Sequence, residues 1–165
     1  NSFHDVVKEA GVQGFTEPDP KIDLSGVDVA RKILILIRES GYQFDIEDIA
    51  NRSFLPAECL ATTNNEDFFK SLIKNAAHFE NLLTEAKAKD CRLKYVATFE
   101  NGKASVGLEF IPKESPFYNL EGKDNIVQFY TDRYVDQPLL IKGAGAGAAV
   151  TASGIFADVI RIGNI

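Results

Sequence analysis

The dipeptide Asn101-Gly102 constrains the folding of this chain more than any other pair of residues. It stands between "RLKYVATFE" (92–100) and "KASVGLEFI" (103–111), two runs rich in β-branched and aromatic residues. Asn-Gly tolerates positive φ at both central positions of a type I′ turn, whose twist matches that of antiparallel strands. The two runs are therefore expected to pair as a hairpin. Leu93, Tyr95, Ala97 and Phe99 then share one face, because side chains alternate along a strand. Two further strands are expected at "NIVQFYTDRY" (125–134) and "PLLIKG" (138–143), and a short one at "FDIEDI" (44–49).

The rest of the pattern is helical. Ser2 and Asp5 have the spacing of a capping box, and Phe3, Val6, Val7 and Ala10 follow at helical intervals before Gly11 and Gly14. Thr16 to Asp23, with its two prolines, reads as an extended loop. Ser25 is expected to cap a second helix that runs to Ser40 and stops at Gly41, with Asp28 at its third position. Its middle, "ILILI" (33–37), has no polar side and predicts a helix buried nearly all round. Asn65 to Lys89 reads as one long helix, and a last helix is expected from about Gly147 to Ile162. The fold class is α+β: a mostly antiparallel sheet with helices on one face. Gln128, Tyr130, Lys94 and Thr98 leave the other face mixed, compatible with a dimer interface.

Composition excludes several roles. The net charge is −6 and there is no basic cluster, so nucleic acid is not an expected partner. The longest fully apolar run, Ile33 to Ile37, is far too short to span a bilayer, so no membrane is expected either. Asn1 opens a polar, helix-like segment, and no leader peptide is expected. Cys59 and Cys91 stand apart in no metal-binding spacing, and His4 and His78 are isolated. The expectation is a cytoplasmic protein with reduced thiols and no metal site.

Two stretches carry chemistry. In "LLIKGAGAGAAVTASG" (139–154) an apolar run enters a glycine-rich turn before a helix. The dinucleotide-binding fingerprint G-x-G-x-x-G fits at Gly143 and Gly145, but Ala148 stands where the third glycine belongs and Gly147 comes one residue early. No second strand follows. The turn still offers backbone N–H groups at Gly147, Ala148 and Ala149, at the positive end of a helix, with the Thr151 hydroxyl one turn in. A turn of small residues allowing tight packing explains the same letters.

The second stretch is "GFTEPDPKIDLSGVDVARK" (14–32). Asp28 and Lys32 are one helical turn apart and share a face. Taken singly, Asp28 could complete a capping box, Lys32 could be its surface partner, and Glu17, Asp19 and Asp23 could be a solvated acidic loop. Together they suit a substrate that carries an ammonium group and exchanges a proton. Carboxylates hold the ammonium by charge-assisted hydrogen bonds, and the lysine serves the reacting oxygen.

These two stretches closely resemble the signature and the C-terminal segment of the homoserine dehydrogenase family, in that family's order. "NIVQFYTDRY" followed by "QPLLIKG" looks most like the form fused to an aspartate kinase. The resemblance implies interconversion of L-homoserine and L-aspartate 4-semialdehyde with NADP or NAD, on the route to threonine, methionine and isoleucine. It makes Lys32 the catalytic lysine, Glu17 and Asp28 the substrate-binding residues, and Asp23 a supporting acid. The cofactor-binding candidates are Gly143, Gly145, Gly147 and Thr151, the last two near the nicotinamide end. Ile22 departs from the family, which often has an acid there. The family's nucleotide-binding region, a second active-site lysine and a monovalent-cation site are expected upstream of these residues, so the cofactor is mostly bound elsewhere. Residues 1–142 are then the substrate-binding, catalytic and dimerisation domain, and 143–165 a segment returning to the nucleotide-binding domain. A homodimer through the sheet is expected, and these residues alone are expected to be inactive.

Two other classes fit less well. A non-catalytic, dimerising module that senses an amino acid would not need Lys32 beside the acidic loop. A semialdehyde dehydrogenase would need Cys59 or Cys91 as an activated nucleophile, and neither has a histidine nearby in sequence.

Overall fold

The computed structural model describes residues 2–122, 124–145 and 147–164. They form two compact units, residues 1–113 and 114–165.

The first unit begins with α1 (Phe3–Val12). The Ser2 hydroxyl accepts the Asp5 N–H and the Asp5 carboxylate accepts the Ser2 N–H at 3.2 Å, the reciprocal capping box expected. Then come α2 (Pro20–Leu24) and α3 (Val27–Glu39), a 3-10 turn at Ile46–Asp48, and β1 (Ile49–Arg52). Three helices follow, α4 (Ala57–Leu60), α5 (Asn65–Lys74) and α6 (Ala76–Ala88). β2 (Arg92–Glu100) and β3 (Lys103–Ile111) close the unit as the expected hairpin, with Glu100 opposite Lys103 and positive φ at Asn101 and Gly102. The sheet order is β1-β3-β2, with β2 antiparallel and β1 parallel to β3.

Two apolar clusters hold this unit together. Val7, Leu55, Cys59, Phe68, Leu72 and Phe79 join α1, α4, α5 and α6. Ala30 and Ile37 bring α3 onto Ile49, Ala104 and Val106, with Tyr95, Ala97 and Phe99 packed around them. The face of β2 read from alternation is thus the face that α3 covers.

The second unit consists of β4 (Asp124–Thr131), β5 (Tyr134–Ala144) and α7 (Ala148–Gly163). β4 and β5 pair antiparallel as a separate sheet. No residue of α7 is buried, and Ile155, Phe156, Val159 and Ile160 are exposed.

The α+β class holds, and the strands divide between two small sheets. Several local expectations are corrected. Thr16 to Asp23 is not loop throughout, because Asp19 caps α2 by accepting the Lys21 N–H and Pro20 occupies its first turn. Ser25 lies at the end of α2, where its hydroxyl donates to the Ile22 carbonyl, and Gly26 takes the position before α3. Asp28 is therefore in the first turn of α3 but completes no capping box with Ser25. Ile35 is 60% exposed, so α3 is not buried nearly all round in this chain. The long helix from Asn65 breaks at Asn75, whose backbone leaves the helical region at φ −98° and ψ 20° and whose side-chain amide joins its own N–H on the Ser71 carbonyl. Phe44 to Asp48 is not strand, since the Asp48 carboxylate accepts the Asp45 N–H and winds that segment into the 3-10 turn. The strand expected from 125 to 134 ends at Thr131, whose hydroxyl accepts the N–H groups of Arg133 and Tyr134 and starts the turn into β5.

Candidate functional site

The acidic stretch folds as an elbow, α2 packed against α3 with Ser25 and Gly26 between them. The loop before it and α2 itself are tied down at three points. The Asp23 carboxylate accepts the Glu17 N–H at 2.8 Å and so closes the loop on the helix that follows it. The Asn65 side-chain amide donates to the Pro18 carbonyl at 2.7 Å. The Lys21 ammonium donates to the Thr62 carbonyl. The Glu17 side chain stays exposed on this tethered loop. It is available to a ligand while its backbone is held.

On α3, the Lys32 ammonium lies 2.8 Å from the Asp28 carboxylate, and both side chains are about half exposed, 56% and 50%. An ion pair this open adds little stability, because water screens both charges. Its placement matters more. It puts one cation and one anion on the same helix face, in the first two turns after the elbow, an arrangement that can engage a zwitterionic or hydroxylated ligand.

The sequence therefore found four polar residues that the structure brings together as two pairs, Glu17 with Asp23 and Asp28 with Lys32. It missed the groups that hold them. Asn65 binds the loop from α5, and Lys21 anchors α2 to the Thr62 carbonyl. Asn51 on β1 donates its amide to the Ser25 carbonyl at 2.9 Å, and the Tyr95 hydroxyl on β2 meets the Asn51 side-chain oxygen at 3.1 Å. Such contacts join residues far apart in the chain, and no local spacing encodes them.

The glycine-rich turn lies in the second unit. Gly143 pairs with Asn125 at the end of the β4–β5 ladder. A side chain at Gly145 would collide with the Asn125 amide, so packing alone accounts for that glycine. Gly147 precedes α7 with φ 133° and ψ 148°, a region essentially closed to other residues. No side chain caps α7, and the N–H groups of its first turn have no partner within the helix. The Thr151 N–H donates to the Gly147 carbonyl at 3.0 Å, and its side chain is exposed. Ala146 lies outside the described residues.

The cysteines do not form a reactive centre. Cys59 is fully buried among α4, α5 and α1, and the Cys91 thiol donates to the Lys89 carbonyl.

The homoserine dehydrogenase family model matches residues 1–160. The bifunctional aspartokinase/homoserine dehydrogenase 2 of Arabidopsis thaliana, a chloroplastic protein, is 45% identical over 99% of this chain. The homoserine dehydrogenase of Schizosaccharomyces pombe is 40% identical over 98% of it. The chain spans 18% of the first relative's length and 44% of the second's. A solved Candida auris protein of unknown function is 38% identical with a TM-score of 0.89, matching 99% of this chain and 46% of its own. Family match and relatives agree, and the chain belongs to the homoserine dehydrogenase family.

Proposed function

We propose that this chain supplies the substrate-binding and proton-transfer part of an enzyme that interconverts L-homoserine and L-aspartate 4-semialdehyde. The observation that carries the reading is the half-exposed Asp28–Lys32 pair on α3, preceded in the chain by a loop whose backbone is held while the Glu17 side chain stays exposed. Glu17 and Asp28 bind the substrate ammonium through charge-assisted hydrogen bonds. Asp23 acts on the substrate indirectly, by fixing the Glu17 backbone. In the reducing direction the Lys32 ammonium gives its proton to the carbonyl oxygen as the hydride arrives at C4; in the oxidising direction Lys32, as the neutral amine, takes the proton that leaves the C4 hydroxyl. A nicotinamide cofactor, NADP or NAD, supplies or takes up the hydride.

Gly147 and Thr151 are assigned to the nicotinamide end of that cofactor, and Gly143 and Gly145 to the turn that leads to it. The uncapped start of α7 fits such a group, because it offers backbone N–H donors and a hydroxyl with no Cβ at Gly147 in the way. Recognition of the rest of the dinucleotide is assigned to parts of the enzyme outside these residues. We therefore divide the chain functionally into residues 1–142, for substrate and assembly, and 143–165, for the approach to the cofactor. The exposed apolar side chains of the β4–β5 hairpin, among them Tyr130, Val135, Leu139 and Ile141, support a homodimer through the sheet. Among the described residues no helix is long and apolar enough to cross a membrane. Two unpaired cysteines support a reducing, cytoplasmic setting.

Asp28→Ala in the full-length protein tests the reading. Loss of one charge-assisted contact should raise the KM for homoserine about 10- to 100-fold and leave the KM for the nucleotide unchanged. A change confined to thermal stability would show that Asp28 serves only the helix.

A further inference from the structure

We infer that Tyr95 and Asn51 are positioning residues for the substrate site: together they latch the Ser25-Gly26 elbow and so set the direction in which α3 presents Asp28 and Lys32. The inference rests on the function proposed above.

The latch crosses the sheet. Tyr95 lies on β2 and Asn51 on the far strand β1, with β3 between them. The Ser25 carbonyl can only accept a hydrogen bond, so the Asn51 amide must turn its NH2 toward it, at 2.9 Å. That leaves the Asn51 oxygen facing the Tyr95 hydroxyl, which donates to it at 3.1 Å. Burial pushes the Tyr95 phenol above its ordinary value, so it keeps its proton and remains a donor.

Gly26 supplies the matching space. Its φ is 82°, and a Cβ there would lie 2.1 Å from the Tyr95 oxygen. The Tyr95 hydroxyl thus occupies the place that a side chain on the elbow would take. Its ring is held by the cluster around Ala30 and Val106 and by an edge contact with Phe54, centroids 6.2 Å apart. The hydroxyl is therefore a fixed point on the sheet rather than a free tip.

α3 has no side-chain cap of its own. Its start is anchored instead by the Ala30 N–H donating to the Gly26 carbonyl at 2.9 Å and by the latch on the residue before. Asp28 stands two residues beyond Gly26 and carries Lys32 with it. A small rotation at the elbow moves both charges relative to Glu17, whose loop is tied elsewhere. Misplacement of about an ångström is enough to weaken binding and transfer.

The test is Tyr95→Phe in the full-length enzyme, which keeps the ring and removes only the hydroxyl. Asn51 is exposed, so water replaces the lost partner and folding should be nearly unaffected. The expected result is a rise of about 3- to 10-fold in the KM for homoserine, with the KM for the nucleotide and the melting temperature unchanged. Asn51→Ala should do the same, and the double variant should be no worse than the more severe single one, because both break one chain of bonds. An unchanged homoserine KM, or effects that simply add, would overturn the latch. So would a melting temperature that falls while KM stays constant. If the unaltered enzyme lacks homoserine-dependent nucleotide reduction, the function itself is wrong and the latch goes with it; if it is active, failure of the variants counts against the latch alone.

Discussion

In the proposed site Asp23 is a carboxylate that would serve the substrate without touching it. Its bond to the Glu17 N–H fixes the loop, leaving the Glu17 side chain exposed. Gly26 plays a comparable part with no side chain at all. In the left-handed region an L-residue pays roughly 1–2 kcal/mol. Gly26→Ala should therefore lower stability by at least ~1 kcal/mol, read from the urea midpoint. It should also raise the homoserine KM, because the new methyl displaces the Tyr95 hydroxyl. A variant with an unchanged midpoint would mean that the elbow relaxes freely and that its φ is not a constraint. Asp28 and Lys32 were legible from the sequence because a helix brings residues one turn apart together without outside help. Tyr95 was legible only as a core face. The partner of its hydroxyl lies on a strand 44 positions earlier, and nothing in a local pattern points there.

At the scale of elements, local rules succeeded where one device dominated. Asn101-Gly102 fixed a hairpin, and Ser2 with Asp5 fixed the start of α1. They failed where two devices competed. Asp19 and Ser25 are both good caps, and Asp19 with Pro20 wins because proline in the first turn loses no hydrogen bond. Asn75 reads as one more polar residue on a long helix, but its backbone leaves the helical region and its side-chain amide folds back on the Ser71 carbonyl. The α1 cap makes a direct prediction about pH. Hydrogen bonds from the Ser2 hydroxyl and the Ser2 amide, with His4 adding to them, hold the Asp5 carboxyl below its ordinary value of 3.8. A depressed carboxyl stabilises the folded form above its unfolded value, and that contribution is lost as pH falls through the folded one. The difference in helix content between the unaltered protein and Asp5→Asn should therefore be present near neutrality and vanish well below pH 3.8. Circular dichroism that shows the same difference at both extremes would rule out the charged cap.

The first unit carries the elbow proposed as the substrate site, and the second unit is by itself a hairpin and a helix with much apolar surface exposed. The α+β class was legible in the strand and helix periods, and the split into two sheets was not. Separation of the β4–β5 pair depends on contacts between strands, which alternation in each strand does not report. The exposed apolar surface of α7 and of β5 is what a partner or a further domain would cover. The glycine stretch between them fails as a dinucleotide fingerprint, and the surroundings of Gly145 and Gly147 account for its spacing. Gly145 answers to Asn125 and Gly147 to the start of α7, so neither needs the third position of a dinucleotide loop.

The most direct measurement is homoserine-dependent reduction of NADP or NAD by the full-length protein and by its Lys32→Ala variant. If Lys32 exchanges the proton of the substrate oxygen, the variant should lose at least ~100-fold in kcat with its fold and its nucleotide KM intact. Turnover near that of the unaltered enzyme would show that Lys32 is no more than the surface partner of Asp28, and would contradict the proposed role of the elbow.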